Sequence, residues 1–229
     1  MSTPPLVLVH GLLDTPTVFN RLRQTLGGRA PDLLIPALPL RMGLTSVAAA
    51  ADQLARQIEA RYPGSTPLDL LGFSIGGVIA RTWIQRLGGH RRTRRFVSLG
   101  SPQQGTLTAR PWSSRLFRGL ADVKRGSALL TALNSNLDTL ASVECHSFYS
   151  ALDLAVLPGW RAVLPVGIYT AFYATAVPLD RNAEAGAAGP TRGAVATVLG
   201  SIGPTGSHTT VQEWFALNIN GTTRYLPCF

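Results

Sequence analysis

Apolar positions along this chain alternate between two rhythms. Short unbroken runs have the length and density of strands buried on both faces: "LVLV" at 6–9, "DLLIP" at 32–36, "LDLLGF" at 68–73, "RFVSLGSP" at 95–102 and "CHSFYS" at 145–150. Between them the spacing becomes helical. "TPTVFNRLRQTLGG" carries Val18, Phe19, Leu22 and Leu26 on one face, with Pro16 near its start and Gly27-Gly28 as a stop. "TSVAAAADQLARQIEARYPG" repeats Ala, Leu and Ile at helical spacing until Pro63-Gly64, and "GGVIARTWIQRLGG" follows the same rule. Strand and helix alternate, so the pattern predicts an α/β fold with a mostly parallel central sheet and helices on both faces. The rhythm breaks over 102–142, a long insertion containing Pro111, Trp112 and Phe117. Beyond Pro165 it fades, and "DRNAEAGAAGPTRG" reads as loop.

Composition narrows the picture. A chain of 229 residues with 45% hydrophobic and 14% charged residues is long and apolar enough for one sizeable core, which excludes a disordered chain. The longest apolar stretch, 162–179, is interrupted by Pro165, Gly167 and Pro178, so no membrane span is expected. "MSTPPLVLVHG" has neither a basic region nor a small-residue cleavage site, so no signal peptide is expected. Cys145 and Cys228 are too few for a disulfide framework, and a cytoplasmic location follows as the expectation. The net charge of +9 is almost all arginine, Lys124 being the single lysine. Its densest cluster, "HRRTRRF" at 90–96, reads either as a solvated turn or as a weak patch for an anionic membrane surface. No aromatic interleaving or helix-turn-helix pattern accompanies it, which excludes nucleic acid as a partner.

Chemistry concentrates where the third strand meets the third long helix. In Gly72-Phe73-Ser74-Ile75-Gly76 the serine occupies a tight turn that needs small neighbours, because side chains at 72 and 76 would collide across it. Such a turn lifts the hydroxyl above the sheet at a helix N-terminus, where free amides favour developing negative charge. The rival reading, a glycine-rich phosphate loop, lacks both the required glycine spacing and a lysine. Ser74 is therefore the expected nucleophile. "VLVHGLLD" places His10-Gly11-Leu12 at the end of the first strand, so the amides of Leu12 and Ile75 are the expected oxyanion donors. His10 lies on that same side, and its expected role is to brace the loop by hydrogen bonds.

Four segments in order, "VLVHGLLDTPTVF", "LLGFSIGGVIAR", "FVSLGSPQQGT" and "SALDLAVLP", resemble the α/β-hydrolase superfamily, within it the small bacterial lipase and esterase group. The resemblance covers roughly residues 5 to 160. It implies one α/β-hydrolase domain over 1–229, with a lid-like insertion at about 106–142 and a poorly matching segment at about 161–229. "GSPQQGT" looks like the lipase motif after the next strand, and "KRGSALLTALN" is similar to the stretch that closes their lid. The family order of serine, acid and histidine implies Asp153 as the acid, in "CHSFYSALDLAVLP", over Asp122 and Asp138 inside the insertion. A capping or turn role is the competing reading of Asp153. Of the four histidines, only His208 in "GPTGSHTTVQEW" follows the acid in a loop-like context, and a helix is expected from Thr209.

These residues describe a serine hydrolase cleaving carboxylic esters of acyl lipids through an acyl-enzyme, with no metal or organic cofactor. An acyl thioesterase or acyltransferase would use the same machinery. A hydrolase-fold protein that binds lipid or partner without catalysis is the alternative of a different class. In the insertion, Leu107, Trp112, Leu116, Phe117, Leu120, Leu129 and Leu130 serve either an acyl chain or a packed cap.

Overall fold

A computed structural model describes residues 3–27, 31–112, 116–150, 153, 155–172, 213–219 and 222–228. Its centre is a sheet of six parallel strands: β1 (Leu6–Val9), β2 (Leu33–Leu34), β3 (Leu68–Phe73), β4 (Thr93–Leu99), β5 (Glu144–Ser150) and β6 (Ile168–Phe172). They run side by side in the order β2-β1-β3-β4-β5-β6. Val9 pairs with Gly72, Gly72 with Ser98 and Ser98 with Ser147, so the strands end at one common edge. The loops at that edge carry every expected catalytic residue that lies among those described.

The helices divide between the faces as the alternation predicts. On one face, α2 (Val47–Arg61) and α3 (Ile75–Arg86) pack with Val7, Val9, Leu68, Leu70 and Phe96. On the other, α1 (Asn20–Leu26) brings Leu22 and the preceding Phe19 onto Leu8 and Leu71. Helix α2 is amphipathic. Ser46 caps it by accepting the Ala49 amide at 3.2 Å, and Val47, Ala50, Ala51, Leu54 and Ile58 form its buried stripe. Helix α3 is buried on every side from Ile75 to Gln85, which fixes it rigidly behind Ser74.

The insertion folds into three short helices, α4 (Arg118–Asp122), α5 (Ala128–Asn134) and α6 (Asp138–Ala141). Its apolar residues divide between core and surface. Leu129 and Leu130 are buried in the core, whereas Leu107, Trp112 and Leu116 stand exposed. Trp112 meets Phe117 edge-on at 4.9 Å.

Two elements depart from the sequence pattern. Strand β6 pairs in parallel with β5, although Pro165 and Gly167 obscured it. Gly167, at φ +83°, is required there because a Cβ would stand 2.2 Å from the Cys145 carbonyl. As the outer strand of the described sheet it leaves Ile168 and Tyr169 exposed, so it lacks the dense apolar run of a central strand. The second departure corrects the helix expected from Thr209. Glu213–Ile219 (β7) and Thr222–Cys228 (β8) form an antiparallel hairpin. The sequence between them is Asn220-Gly221, the dipeptide that type I′ hairpin turns select.

Candidate active site

Ser74 begins from a strained backbone. Its φ of 53° and ψ of −132° cost a non-glycine residue about 1–3 kcal/mol. Packing on both sides holds it there. The Ser74 amide donates to the Leu99 carbonyl at 2.9 Å, and its own carbonyl accepts from Gly77 at 3.1 Å. The flanking glycines are needed for two different reasons, which refines the expected collision across the turn. A Cβ on Gly72 would lie 2.3 Å from the Gly77 Cα, across the turn, but one on Gly76 would lie 2.2 Å from the Val9 carbonyl of β1. Gly77 packs just as closely on Ser101, whose hydroxyl sits 3.3 Å from the Gly72 and Leu99 carbonyls.

The loop after β1 closes on this turn. A Cβ on Gly11 would stand 3.1 Å from the Ser74 Cβ, so the glycine lets the chain pass directly beside the hydroxyl-bearing carbon. Leu12 follows at once. Ile75 is the first residue of α3, so its amide has no partner within the helix. Among the described residues, the amides of Leu12 and Ile75 donate to no carbonyl. His10 is buried and uses both ring nitrogens: Nε2 accepts the Leu38 amide at 3.1 Å, and Nδ1 stands 2.9 Å from the Gly11 carbonyl. The Leu38 bond places the imidazole proton on Nδ1, which then donates to Gly11. The ring is a brace between two loops.

Asp153 lies beyond the end of β5 at the same edge. Its Oδ1 accepts the amides of Ala155 at 2.7 Å and Val156 at 3.0 Å. These bonds hold the carboxylate in one orientation, and they are also what a turn aspartate makes. Its Oδ2 lies 3.6 Å from where a Cβ on Gly100 would sit, and Gly100 itself has φ +53°. Among the described residues Oδ2 accepts no hydrogen bond, which leaves one carboxylate oxygen for a further donor at the edge where Ser74 stands.

The "GSPQQGT" segment explains how that loop is held. Thr106 is buried, and its hydroxyl donates to the Ala155 carbonyl at 3.0 Å while accepting the Leu157 amide at 3.0 Å. The Thr108 hydroxyl reaches the same carbonyl at 2.6 Å. Behind the segment, Arg81 of α3 is 0% exposed. It donates to Gln85 Oε1, the Gln103 and Leu133 carbonyls and Asn134 Oδ1, at 2.6–3.1 Å. Burial lowers its pKa to about 10, so it stays charged at neutral pH, balanced by carbonyl dipoles. Neither Thr106 nor Arg81 was marked by the sequence pattern, though Thr106 closes a recognisable motif.

Histidine supply is the open part of the constellation. His208 lies outside the described residues. Of the others, His90 faces the Ile84 carbonyl at 3.3 Å and His146 faces Glu144 at 3.1 Å. Both sit near the starts of β4 and β5, at the edge opposite Ser74. The arginine cluster belongs to that far edge too. Arg92 pairs with Glu59, Arg94 with Asp69 and Arg95 with Glu144, each at 2.8–2.9 Å.

Comparison with known proteins extends these observations. A family model described as palmitoyl protein thioesterase matches residues 5–152, a span that includes Leu12, Ser74 and Ile75 and stops one residue before Asp153. Lysosomal thioesterase PPT2 of Homo sapiens is 30% identical over 108 residues, 45% of this chain and 35% of that protein. The chain thus spans about a third of the length of the curated relative it matches. Among solved structures, the mature lipase BlEst2 of Bacillus licheniformis superposes with a TM-score of 0.58 at 15% identity, covering 74% of this chain and 84% of that one. The metagenomic carboxyl esterase MGS0156 superposes with a TM-score of 0.61 at 18% identity, covering 74% and 63%. At these identities the likeness establishes a shared α/β-hydrolase fold.

Proposed function

The chain belongs to the palmitoyl protein thioesterase family, and from that premise we propose that it is a serine hydrolase of acyl lipids working through an acyl-enzyme. The observation that carries the reading is Ser74 itself. A half-buried serine held at positive φ at the head of a buried helix, with Gly11 packed on its Cβ, supplies a hydroxyl beside the Leu12 and Ile75 amides, which donate to no carbonyl among the described residues. In this reading Ser74 Oγ attacks the acyl carbonyl while His208 takes its proton. The oxyanion is held by the Leu12 and Ile75 amides. Asp153 Oδ2 orients the imidazole and stabilises its protonated form, which passes its proton to the departing alcohol or thiol as the bond between that group and the acyl carbon breaks. Water, deprotonated by the same imidazole, then attacks the acyl-enzyme and releases the acid and Ser74.

The bond cleaved has two readings within this chemistry. An oxygen ester is the principal one, supported by the fold shared with lipases and esterases. A thioester is the second, favoured by the family and by the match to a lysosomal thioesterase. Thiolates leave more readily than alkoxides, so one active site serves both, and the ratio of rates is the distinguishing quantity.

The test is turnover of a p-nitrophenyl ester and of the acyl thioester of N-acetylcysteamine by the full chain, alongside labelling with a fluorophosphonate. Ser74→Ala is expected to lose both activities and the label while keeping its circular dichroism. His208→Ala is expected to lose nearly as much activity as Ser74→Ala. Labelling that survives in Ser74→Ala removes Ser74 as the nucleophile, and full activity in His208→Ala removes that histidine from the triad.

A further inference from the structure

The turn that carries the Leu12 amide also carries a carboxylate. The Asp14 amide donates to the Gly11 carbonyl at 3.4 Å, which closes Gly11 to Asp14 into one turn with Leu12 and Leu13 at its tip. From the end of that turn the Asp14 side chain folds back over the glycine. A Cβ on Gly11 would stand 2.4 Å from Asp14 Oδ2, 3.1 Å from the Ser74 Cβ and 3.5 Å from the Phe73 ring. The carboxylate oxygen and the hydroxyl-bearing carbon therefore border one and the same small space, which the glycine leaves open.

Asp14 is half-buried. Among the described residues three other carboxylates are half-buried, and each has a bond in the fold. Asp69 pairs with Arg94, Asp122 accepts the Val47 amide, and Asp153 accepts the amides of Ala155 and Val156. Asp14 accepts no hydrogen bond and pairs with no cation among the described residues. Its charge also opposes the reaction it stands beside. Negative charge develops on the substrate carbonyl oxygen at the Leu12 amide, and a carboxylate on the same turn raises the cost of that charge. A positive group on the substrate turns the penalty into an attraction, because it lies against both negative charges at once.

We propose that Asp14 is a specificity-determining residue, the counter-ion for an ammonium group carried on the leaving group of the acyl substrate. This role rests on the reading of Ser74 as the nucleophile, since only then does a reacting bond lie beside the space that the two residues share. The acyl chain of a lipid bears no charge, so the cation belongs to the alcohol or thiol that departs. An amino alcohol and an amino thiol present the same charge, and two arms of one experiment separate them.

The substrates are matched pairs in which a tert-butyl group replaces trimethylammonium at the same shape, all kept below micellisation. One pair is hexanoylthiocholine against S-(3,3-dimethylbutyl) hexanethioate, and the other is hexanoylcholine against 3,3-dimethylbutyl hexanoate. The wild-type chain is expected to favour the cationic member of at least one pair by about five-fold or more in kcat/KM, mostly through KM. Asp14→Asn is expected to lose that preference and to turn over the neutral member with a kcat raised about two-fold, because the opposing charge is gone. Raising the ionic strength is expected to erode the preference in the wild type. Equal use of both members of each pair by the wild type, a preference indifferent to salt, or one that survives in Asp14→Asn overturns the proposal. A fall in kcat on the neutral member as large as that on the cationic one marks a merely structural role and overturns it too. If no substrate turns over, the nucleophile reading fails, and Asp14 is judged by binding. Calorimetry with hexyltrimethylammonium is then expected to show association with the wild type and about five-fold weaker association with Asp14→Asn. Equal or absent binding rejects the counter-ion.

Discussion

The two ends of the proposed triad that lie among the described residues are held in opposite ways. Ser74 is fixed by backbone against backbone. Gly72 meets Gly77, Gly76 meets the Val9 and His10 carbonyls, and the Ser74 amide is tied to Leu99. Asp153 is oriented by the Ala155 and Val156 amides of its own loop, and that loop is tied down by side chains, the Thr106 hydroxyl joined to Ala155 and Leu157 and Arg161 joined to Gln104. The first arrangement tolerates no added atom. The second tolerates change in the chain as long as a few hydroxyl and amide bonds survive. A nucleophile must sit in a conformation the backbone resists, so only close packing holds it. An orienting carboxylate sits in an ordinary conformation and needs only direction.

The largest expected effect comes from breaking the backbone-held end. Gly76→Ala places a methyl group 2.2 Å from the Val9 carbonyl and 2.5 Å from the His10 carbonyl, and neither strand nor helix is free to yield. The expected cost is about 1–3 kcal/mol or more of stability. Activity is expected to fall at least a hundred-fold, because the Ser74 hydroxyl moves with its turn. Denaturant unfolding and ester turnover measure the two. A variant of wild-type stability and rate shows that the turn is softer than its contacts imply.

Next comes the residue that joins the two ends. Arg81 ties α3, behind the nucleophile, to Gln103 in the segment that holds the acid loop. Arg81→Met fills similar space but leaves the Gln103 carbonyl, Gln85 Oε1 and the Asn134 side chain without the donor Arg81 gives them, while Gln85 Nε2 still donates to the Leu133 carbonyl. Two buried groups left unsatisfied, the Gln103 carbonyl and Gln85 Oε1, are expected to cost about 3 kcal/mol. The loss is read as a lower denaturation midpoint with an unchanged slope. An unchanged midpoint shows that water or neighbouring donors replace the guanidinium.

What the sequence disclosed follows the same division. Gly72, Ser74, Gly76 and Ile75 are neighbours, and their meaning is local: a buried strand, a turn and a helix start in succession. The alternation that placed them also placed the five apolar strands, since strands buried on both faces are dense in apolar residues. Strand β6 escaped because, among the described residues, it has one neighbour and needs less apolar surface, and β7 escaped although Asn220-Gly221 lay in view. Thr106 was illegible for another reason: its partner Ala155 is 49 positions away, and nothing in a buried threonine's own surroundings declares a bond of that range. The apolar residues of the insertion were legible as apolar only. Which of them are buried depends on how α4, α5 and α6 pack, a tertiary outcome.

Thr106 therefore tests the side-chain-held end. Thr106→Val keeps the shape and deletes the hydroxyl, removing one donor to Ala155 and one acceptor for Leu157. The expected result is a fall of about ten-fold in kcat with little change in KM, because the acid loosens while the pocket persists. Thr106→Ser restores the hydroxyl and is expected to recover most of the rate. If Val and Ser behave alike, the loop is held by packing and the contrast between the two ends weakens.

The smallest expected effect concerns how the insertion is moored, at a bond whose charge is dispensable. Asp122 Oδ2 accepts the amide of Val47 at 2.8 Å, where the first residue of α2 offers an unpaired donor. Burial raises the pKa of this carboxyl, and the Val47 bond opposes the rise without cancelling it. A folded-state pKa above the unfolded one means that the folded chain holds its proton more tightly. The group's contribution is then fully present below the unfolded pKa and is lost as pH rises through the folded one. At neutral pH the charged carboxylate is thus a small net burden despite its hydrogen bond. Asp122→Asn keeps an oxygen to accept from Val47 and never ionises. Its melting temperature relative to the wild type is expected to rise between pH 4 and pH 7, with the two proteins closest at the acid end. A variant that loses stability relative to the wild type over the same range shows that the negative charge at the start of α2 outweighs its burial.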